Sequence, residues 1–370
     1  MREGWTYKKL GEVAKISSGK AIPSSDIIEN YSEDLYPCYG GNGLRGYVDH
    51  YSHDGLIPVV GRVGALCGNV HLPQGKFYAT EHALVVCLTT ADEPHYMKYL
   101  LSFLNLRQYA KGVAQPVLSA STLSKISISL PSLSEQQSIV AELDKINELI
   151  SLKKAQLSDL DSLAQSIFYD MFGDPIENEK GWEVKKFGEV GEVERGAGIS
   201  KKDFVDEGLP CIHYGQLHTI LGPITKKHYT SIPESLLPKY KIAHTGDLIM
   251  AITSEDVEGS CKSTAWLGDY EIVVGSDAAI LHHDQNGTFL SYYTMTNAFS
   301  NEKAKYAKGF KVTHISTKEI ESIPVYLPPL SLQQNFAKRI ELIEQQKVQI
   351  SSTIKDLETL LASRMQYWFD

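Results

Sequence analysis

The feature that most constrains this 370-residue chain is that it repeats itself. Trp5-Thr-Tyr-Lys-Lys-Leu-Gly-Glu-Val13 returns 177 residues later as Trp182-Glu-Val-Lys-Lys-Phe-Gly-Glu-Val190. Leu130-Pro-Ser-Leu-Ser-Glu-Gln-Gln137 returns 197 residues later as Leu327-Pro-Pro-Leu-Ser-Leu-Gln-Gln334. Each copy is a variable globular stretch followed by a long helical pattern, and the second globular stretch is 20 residues longer. Solenoid repeats are far shorter, so this one predicts two duplicated domains. A pseudo-two-fold duplication suits a target with two parts.

Both helical segments carry a 4,3 apolar spacing without Pro or Gly. The first copy places Ile139, Leu143, Ile146, Ile150, Lys153, Leu157, Leu160, Ala164, Ile167 and Met171 on the stripe. The second places Phe336, Ile340, Ile343, Lys347, Ile350, Ile354, Leu357, Leu361, Arg364 and Trp368. That is a coiled-coil seam, and so narrow a stripe needs a partner helix. Mutual antiparallel pairing is expected, with the domains at opposite ends of a rod roughly 58 Å long. Lys153 and Lys347 interrupt the seam, either to fix its register or to snorkel to its edge. Ser134-Glu-Gln-Gln137 and Ser331-Leu-Gln-Gln334 read as capping boxes that start the helices.

Residues 1–133 and 174–330 alternate short β-rich runs with turns and one helical stretch. Gly55–Val60, Ala83–Leu88 and Ile126–Leu130 are strand-like in the first domain, as are Asp247–Ile252, Ala278–Leu281 and Ile323–Leu327 in the second. His95–Leu104 and Phe289–Met295 are helical. The expected fold is α+β: two mixed α/β domains, 1–133 and 174–330, each followed by a long helix, 134–173 and 331–370, with the helices paired as an antiparallel coiled coil. Gly112–Ser119 and Gly309–Ser316 align at the offset of 197. Positions that match there are candidate scaffold, and positions that differ are candidates for specificity.

The layout resembles the specificity subunits of type I restriction–modification enzymes over the whole chain. The repeated openings and Leu-Pro-x-Leu-Ser-x-Gln-Gln entries carry the resemblance, with the Tyr39-Gly-Gly-Asn-Gly-Leu-Arg-Gly-Tyr47 and Gly61-Arg-Val-Gly64 loops. It implies two target-recognition domains, each binding one half of an interrupted site in double-stranded DNA, with the helices setting the spacer. It further implies a non-catalytic subunit, partnered by DNA adenine methyltransferase (modification) subunits and a restriction/translocase subunit. S-adenosylmethionine, ATP and Mg are expected on those partners, and no cofactor or metal in this chain.

Candidate DNA contacts follow from side-chain chemistry. Asn42 and Arg45 sit in a glycine-rich loop that either approaches a groove, Asn pairing with adenine and Arg with guanine, or is a tight hairpin with a solvated tip. Arg62 is either a groove probe or half of a salt bridge. Lys20, Lys111, Gln115 and Ser119 complete the first domain. Lys201, Lys202, His213, Tyr214, Gln216, Lys226, Lys227, Lys308, Lys311 and His314 are the second domain's candidates. Lys and Ser suit phosphates better than bases.

The net charge of −9 is unevenly spread. Residues 1–133 hold 12 basic and 11 acidic groups, whereas residues 174–328 hold 16 and 22, so phosphate neutralisation alone does not mark either domain as a DNA binder. The five cysteines are scattered and lack a Cys-x-x-Cys pair, which favours reduced thiols over zinc or disulfides. No apolar run suits a membrane span or a signal peptide, and a cytoplasmic, membrane-free setting is expected. Against catalysis, the chain has no Asn/Asp-Pro-Pro-aromatic tetrad and no nucleotide-binding Gly-x-x-x-x-Gly-Lys motif. Asp174, Glu183 and Lys185 imitate a nuclease triad but straddle the linker into the repeated opening. The remaining alternative is a scaffold that joins partners through its coiled coil without reading sequence.

Overall fold

The computed structural model describes residues 4–112, 115–199, 201–235, 240–307 and 312–370. Lys308, Lys311 and the side chain of Lys201 lie outside this description. The chain forms two compact units, Met1–Lys154 with Ser352–Asp370, and Ala155–Ser351. Each unit takes half of both long helices, Leu133–Phe172 and Leu330–Phe369.

In the first unit, strands Ala14–Ser18, Ala83–Leu88, Val59–Gly61 and Val70–His71 form an antiparallel sheet in that order. Ala83-Leu-Val-Val86 is fully buried, which is why it reads as a continuous apolar run rather than an alternating one. A second sheet orders Gly43–Val48, Tyr36–Gly40, Lys76–Ala79 and His53–Asp54, with the central pair parallel. Helix Pro94–Phe103 starts on Pro94, and the Glu93 side chain accepts a hydrogen bond from the His95 amide at 3.0 Å. Its Tyr96, Met97, Leu100 and Leu101 pack into the main core with Leu10, Leu84 and Val86.

The second unit repeats the plan. Gly191–Arg195, Ala278–His283, Leu248–Ala251, Ser263–Trp266 and Ile224–Thr225 form a five-stranded sheet, beside a four-stranded one of Thr230–Ile232, Leu209–Ile212, Ile272–Val274 and Lys241–Ala243. The core gathers around Trp266, Ile249 and Ile280. Most of the extra length of this domain falls in one place. The first unit joins Tyr36–Gly40 to Gly43–Val48 through Gly41 and Asn42 alone. The second spends residues 213–229 between the equivalent strands, including helix Tyr214–Thr219 and strand Ile224–Thr225.

The repeated openings are structural staples. Thr6–Lys9 pairs antiparallel with Ser127–Leu130, and Glu183–Lys186 with Pro324–Leu327. The Glu12 carboxylate accepts the Lys9 amide at 3.0 Å, and Glu189 accepts that of Lys186 at 2.7 Å. A Cβ on Gly11 would stand 2.9 Å from the Ser124 Cβ, so this crossing needs glycine. Glu183 and Lys185 pair with each other at 3.4 Å, and Asp174 accepts the Ile176 amide at 2.9 Å.

The Gln-Gln signature differs from the expected capping boxes. The helices begin at Leu133 and Leu330, one residue before the serines. Ser132 lies nearest the capping position, its hydroxyl accepting the Glu135 amide at 3.3 Å. The buried Gln136 instead clamps two segments with three bonds: it accepts from the Glu93 amide at 2.9 Å and donates to Asp92 at 2.7 Å and to the Pro131 carbonyl at 3.1 Å. Gln333 repeats the clamp with the Asn286 amide, Gln285 and the Pro328 carbonyl. A buried amide satisfied at both ends fixes where each long helix leaves its domain.

Within each unit the two helices run antiparallel. In the first, Glu142 pairs with Arg364, and Lys154 lies 2.9 Å from Glu358, so partner numbers fall as the first helix advances. In the second, Lys347 bridges Asp161 at 2.8 Å, and Phe168 meets Phe336 with ring centroids 5.6 Å apart. Leu143, Ile146 and Ile150 are buried with Ile354 in the first unit, and Leu160 with Ile340, Ile343 and Ile350 in the second; Leu157 and Leu357 are half-buried. The closing phenylalanines sit at matching places: Phe369 packs edge-on to Tyr96 at 5.5 Å, and Phe172 to Phe289 at 4.9 Å.

Lys347 binds both Asp161 and Glu344, 2.9 Å away. Burial alone would lower its pKa, but those two hydrogen bonds outweigh it and hold the ammonium above its usual value. Glu142 accepts from the Arg364 guanidinium and from the Trp368 indole, and the Arg364 bonds hold its carboxyl below the usual range. A depressed carboxyl pKa contributes stability above the unfolded-state value, lost as pH falls through the folded one. Glu142→Gln should therefore flatten the loss of stability seen on acidification below about pH 4.3, as measured by urea unfolding across that range. Gln136→Ala and Gln333→Ala each strand buried groups and should each cost about 1–3 kcal/mol in the same assay.

Candidate nucleic-acid interface

One backbone frame occurs in both units. In the first, the Gly19 amide donates to the Ala83 carbonyl at 3.0 Å, and the Lys20 amide to that of Ala79 at 2.9 Å. In the second, Gly196 donates to Ala278 at 2.9 Å and Ala197 to Val274 at 3.1 Å. The approach is so close that a Cβ on Gly19 would lie 2.2 Å from the Ala79 oxygen, and one on Gly196 2.1 Å from that of Gly275. The Arg62 amide donates to His82 and the Leu118 amide to Arg62, at 2.9 and 2.8 Å; Ile252, Asp277 and Ile315 repeat this at 3.0 and 3.0 Å. Val63 bridges Val117 as Thr253 pairs with His314.

The same bones carry different side chains. The turn Thr80-Glu81-His82 corresponds to Gly275-Ser276-Asp277, Lys20 to Ala197, Arg62 to Ile252, Val63 to Thr253 and Val117 to His314. This is the pattern expected of a scaffold that presents variable chemistry at one surface.

In the first unit, Asn42 and Arg45 are exposed on a two-residue hairpin closed by Gly43 at φ 92°. The hairpin tip abuts the end of strand Val59–Gly61, where a Cβ on Gly61 would meet the Gly41 oxygen at 2.3 Å. Arg62 is half-buried and donates from Nη1 to the Glu81 carbonyl at 3.1 Å. Its Nε and the Glu81 Oε2 are buried and find no hydrogen-bond partner among the described residues. Glu81 Oε1 lies 3.3 Å from His82 Nε2. His71 packs on Gly43, and burial lowers its pKa, which favours the neutral ring.

In the second unit, Arg195 donates from Nε to the Ser276 carbonyl at 2.9 Å, and its Nη2 stands 3.9 Å from Asp277. Thr253 Oγ1 is 3.3 Å from His314 Nδ1 and 3.5 Å from Asp277 Oδ1. His213 stacks on Phe204 at 5.1 Å, and Tyr214 is exposed at the start of its helix. His213 and Tyr214 open the long insertion at the position that the Gly41-Asn42 hairpin tip occupies in the first unit.

Other candidates have structural duties. Ser119 caps helix Ala120–Leu123 by accepting the Thr122 amide at 3.1 Å, as Ser316 caps Thr317–Ser322. Gln216 is buried, accepting the His213 amide and donating to Thr230 Oγ1, both at 3.2 Å. Lys226 reaches the long helix, 3.0 Å from Glu341, and Lys227 is exposed beside it. Lys20, Lys111, Gln115 and Lys202 are exposed. Glu81, His82, Arg195, Thr253 and Asp277 carry no sequence signal that singles them out; their shared frame does.

A cation pins the loop next to each cluster. Arg107 Nη1 donates to the Ala65 carbonyl at 2.9 Å. Lys303, buried, donates to the Glu258 and Ser260 carbonyls, both at 2.6 Å, and desolvation lowers its pKa. The adjoining Cys261 thiol is fully buried, with its pKa pushed up to about 12, and is unreactive at neutral pH. All five cysteines are free. Lys303→Met leaves two carbonyls unpaired and should speed amide hydrogen exchange across residues 253–261 while residues 62–68 stay unchanged.

The sequence model of a family described as type I restriction modification DNA specificity domain matches residues 2–161 and 179–359. The chain is 46% identical over 143 residues to the type I restriction enzyme EcoprrI specificity subunit of Escherichia coli, a match spanning 38% of this chain and 36% of that subunit. It is 22% identical to the MjaIX specificity subunit of Methanocaldococcus jannaschii over 95% of this chain and 91% of the relative. The fold is shared with the crystal structure of the S subunit of the M. genitalium type I restriction–modification system, at TM-score 0.59 and 15% identity, covering 99% of this chain and 96% of that one.

Proposed function

Because the chain belongs to the type I restriction–modification DNA specificity family, we propose that it is the subunit that chooses where such a complex acts on DNA. In this reading each domain selects one half of a bipartite, interrupted site. The antiparallel helices set the spacing, and modification subunits dock on the helices and domain flanks. The single observation that carries the reading is the duplicated frame with unlike side chains, since a scaffold that reads nothing has no use for that difference. Arg62, Asn42 and Arg45 in the first unit, and Arg195, Tyr214 and His314 in the second, have the donors and acceptors that distinguish bases in a major groove. Lys20, Lys111 and Lys202 are suited to phosphates.

Two features of the helices favour partner docking. Leu152, Leu342 and Val348 expose more than half their surface on helices whose apolar seam is already filled. A groove of about 650 Å³ in the second unit is lined by Ile224, Leu267, Ala337, Lys338 and Val348. Methyl transfer, ATP-driven translocation and cleavage are assigned to the partners, with S-adenosylmethionine, ATP and Mg bound there. The setting is the cytoplasm; among the described residues no helix is long and apolar enough to cross a membrane.

The reading is tested by replacing residues 1–130 with the first domain of another family member and mapping methylated sites in cells that also carry the cognate modification subunits. One half-site should change while the other half-site and the spacer persist. Changes in both halves, or modification without a sequence preference, would contradict it. Adding one heptad to both helices should lengthen the spacer and leave both half-sites intact.

A further inference from the structure

Resting on that reading, we propose that each domain uses one carboxylate, Glu81 in the first and Asp277 in the second, to select an exocyclic amino group in its half-site. Both residues occupy the same short turn, Thr80–His82 and Gly275–Asp277, one position apart. The turn lies at the centre of the frame. It is held on one side by the bridge to Lys20 or Ala197, and on the other by the amide of Arg62 or Ile252.

The chemistry of the turn narrows what it can meet. A carboxylate only accepts hydrogen bonds, and beside a phosphate it is repelled. On a major-groove surface its partners are the base amino groups, cytosine N4 or adenine N6. Guanine O6, guanine N7 and thymine O4 are acceptors and would be rejected. One carboxylate among the cations Lys20, Arg45, Arg62 and Lys111 therefore spends affinity on selectivity.

The accepting capacity of both carboxylates is only partly taken up within the chain. Arg62 lies close enough to bond the Glu81 backbone carbonyl, yet its Nε and the Glu81 Oε2 find no partner among the described residues. Glu81 keeps about a third of its side chain exposed, at 36%, and Asp277 keeps 42%. Asp277 is held only at the long limit of pairing, with Arg195 Nη2 3.9 Å away and Thr253 Oγ1 donating at 3.5 Å. Glu81 Oε2 is buried, so presenting it to a base takes a rotation of the side chain.

The test compares methylated-site maps for the wild-type subunit, Glu81→Gln, Asp277→Asn and the exposed control Glu33→Gln, each in cells with the cognate modification subunits. Glutamine and asparagine keep the size but add a donor. Glu81→Gln should reduce discrimination at one position of the first half-site by about ten-fold or more, admitting a base that offers an acceptor. Asp277→Asn should do the same in the second half-site alone, and Glu33→Gln should change nothing. If modification falls below detection, the purified complex is assayed on duplexes carrying every base at each specified position. Rescue by one substitution in the matching half supports the assignment, and uniform loss overturns it. An unchanged site overturns it for that domain, and relaxation by Glu33→Gln overturns it for both. A wild-type map without a bipartite motif would instead overturn the functional reading beneath it.

Discussion

An apolar stripe on a 40-residue helix has to be covered, and the rest of the molecule is arranged around how that is done. In each unit the cover is the other long helix, running the opposite way. A chain that follows one domain with such a helix must therefore supply a second, and the duplication provides it. The buried Gln136 and Gln333 fix where the helices leave their domains, while Phe172 and Phe369 fix where they end. The polar interruptions also contribute: Glu142 with Arg364, and Lys347 with Asp161, are interhelical pairs that a slipped register would break. Lys347 thus does more than snorkel.

The recognition proposed for the chain rests on a single frame used twice. The close glycine crossings at Gly19 and Gly196 and the bridges beyond Arg62 and Ile252 are conserved in geometry within the chain itself. Their side chains are not. Cationic, amide and carboxylate groups replace one another at matched positions, so the two surfaces share a shape and differ in the hydrogen-bond pattern they offer. The acidic total of the chain is compatible with this, because the clusters are small and local. Lys241, for example, is paired with Glu194 rather than with the cluster.

Much of this was legible in the sequence, for physical reasons. Repeated words survive where backbone geometry is demanding, and so Glu12, Glu189, Gln136 and Gln333 announced the scaffold, though the helices start one residue before the serines expected to cap them and Gln136 and Gln333 are buried clamps. The helix seam was legible because a 3.5-residue period has few other uses. The proposed interface was legible only where a loop was glycine-rich or basic. Ser119 and Gln216 looked polar and available, but one caps a helix and the other is buried. Glu81 and Asp277 were silent because a short turn between two apolar strands has no period, and its importance lies in which strands it joins.

Whether one chain carries two equivalent reading surfaces is measured by amide hydrogen exchange on the complex with its modification subunits, with and without the target duplex. DNA-dependent protection is expected at residues 40–46, 62–64 and 80–82, together with residues 213–219, 252–254 and 275–277. Protection confined to one set, or absent from both while the duplex is bound, would contradict it.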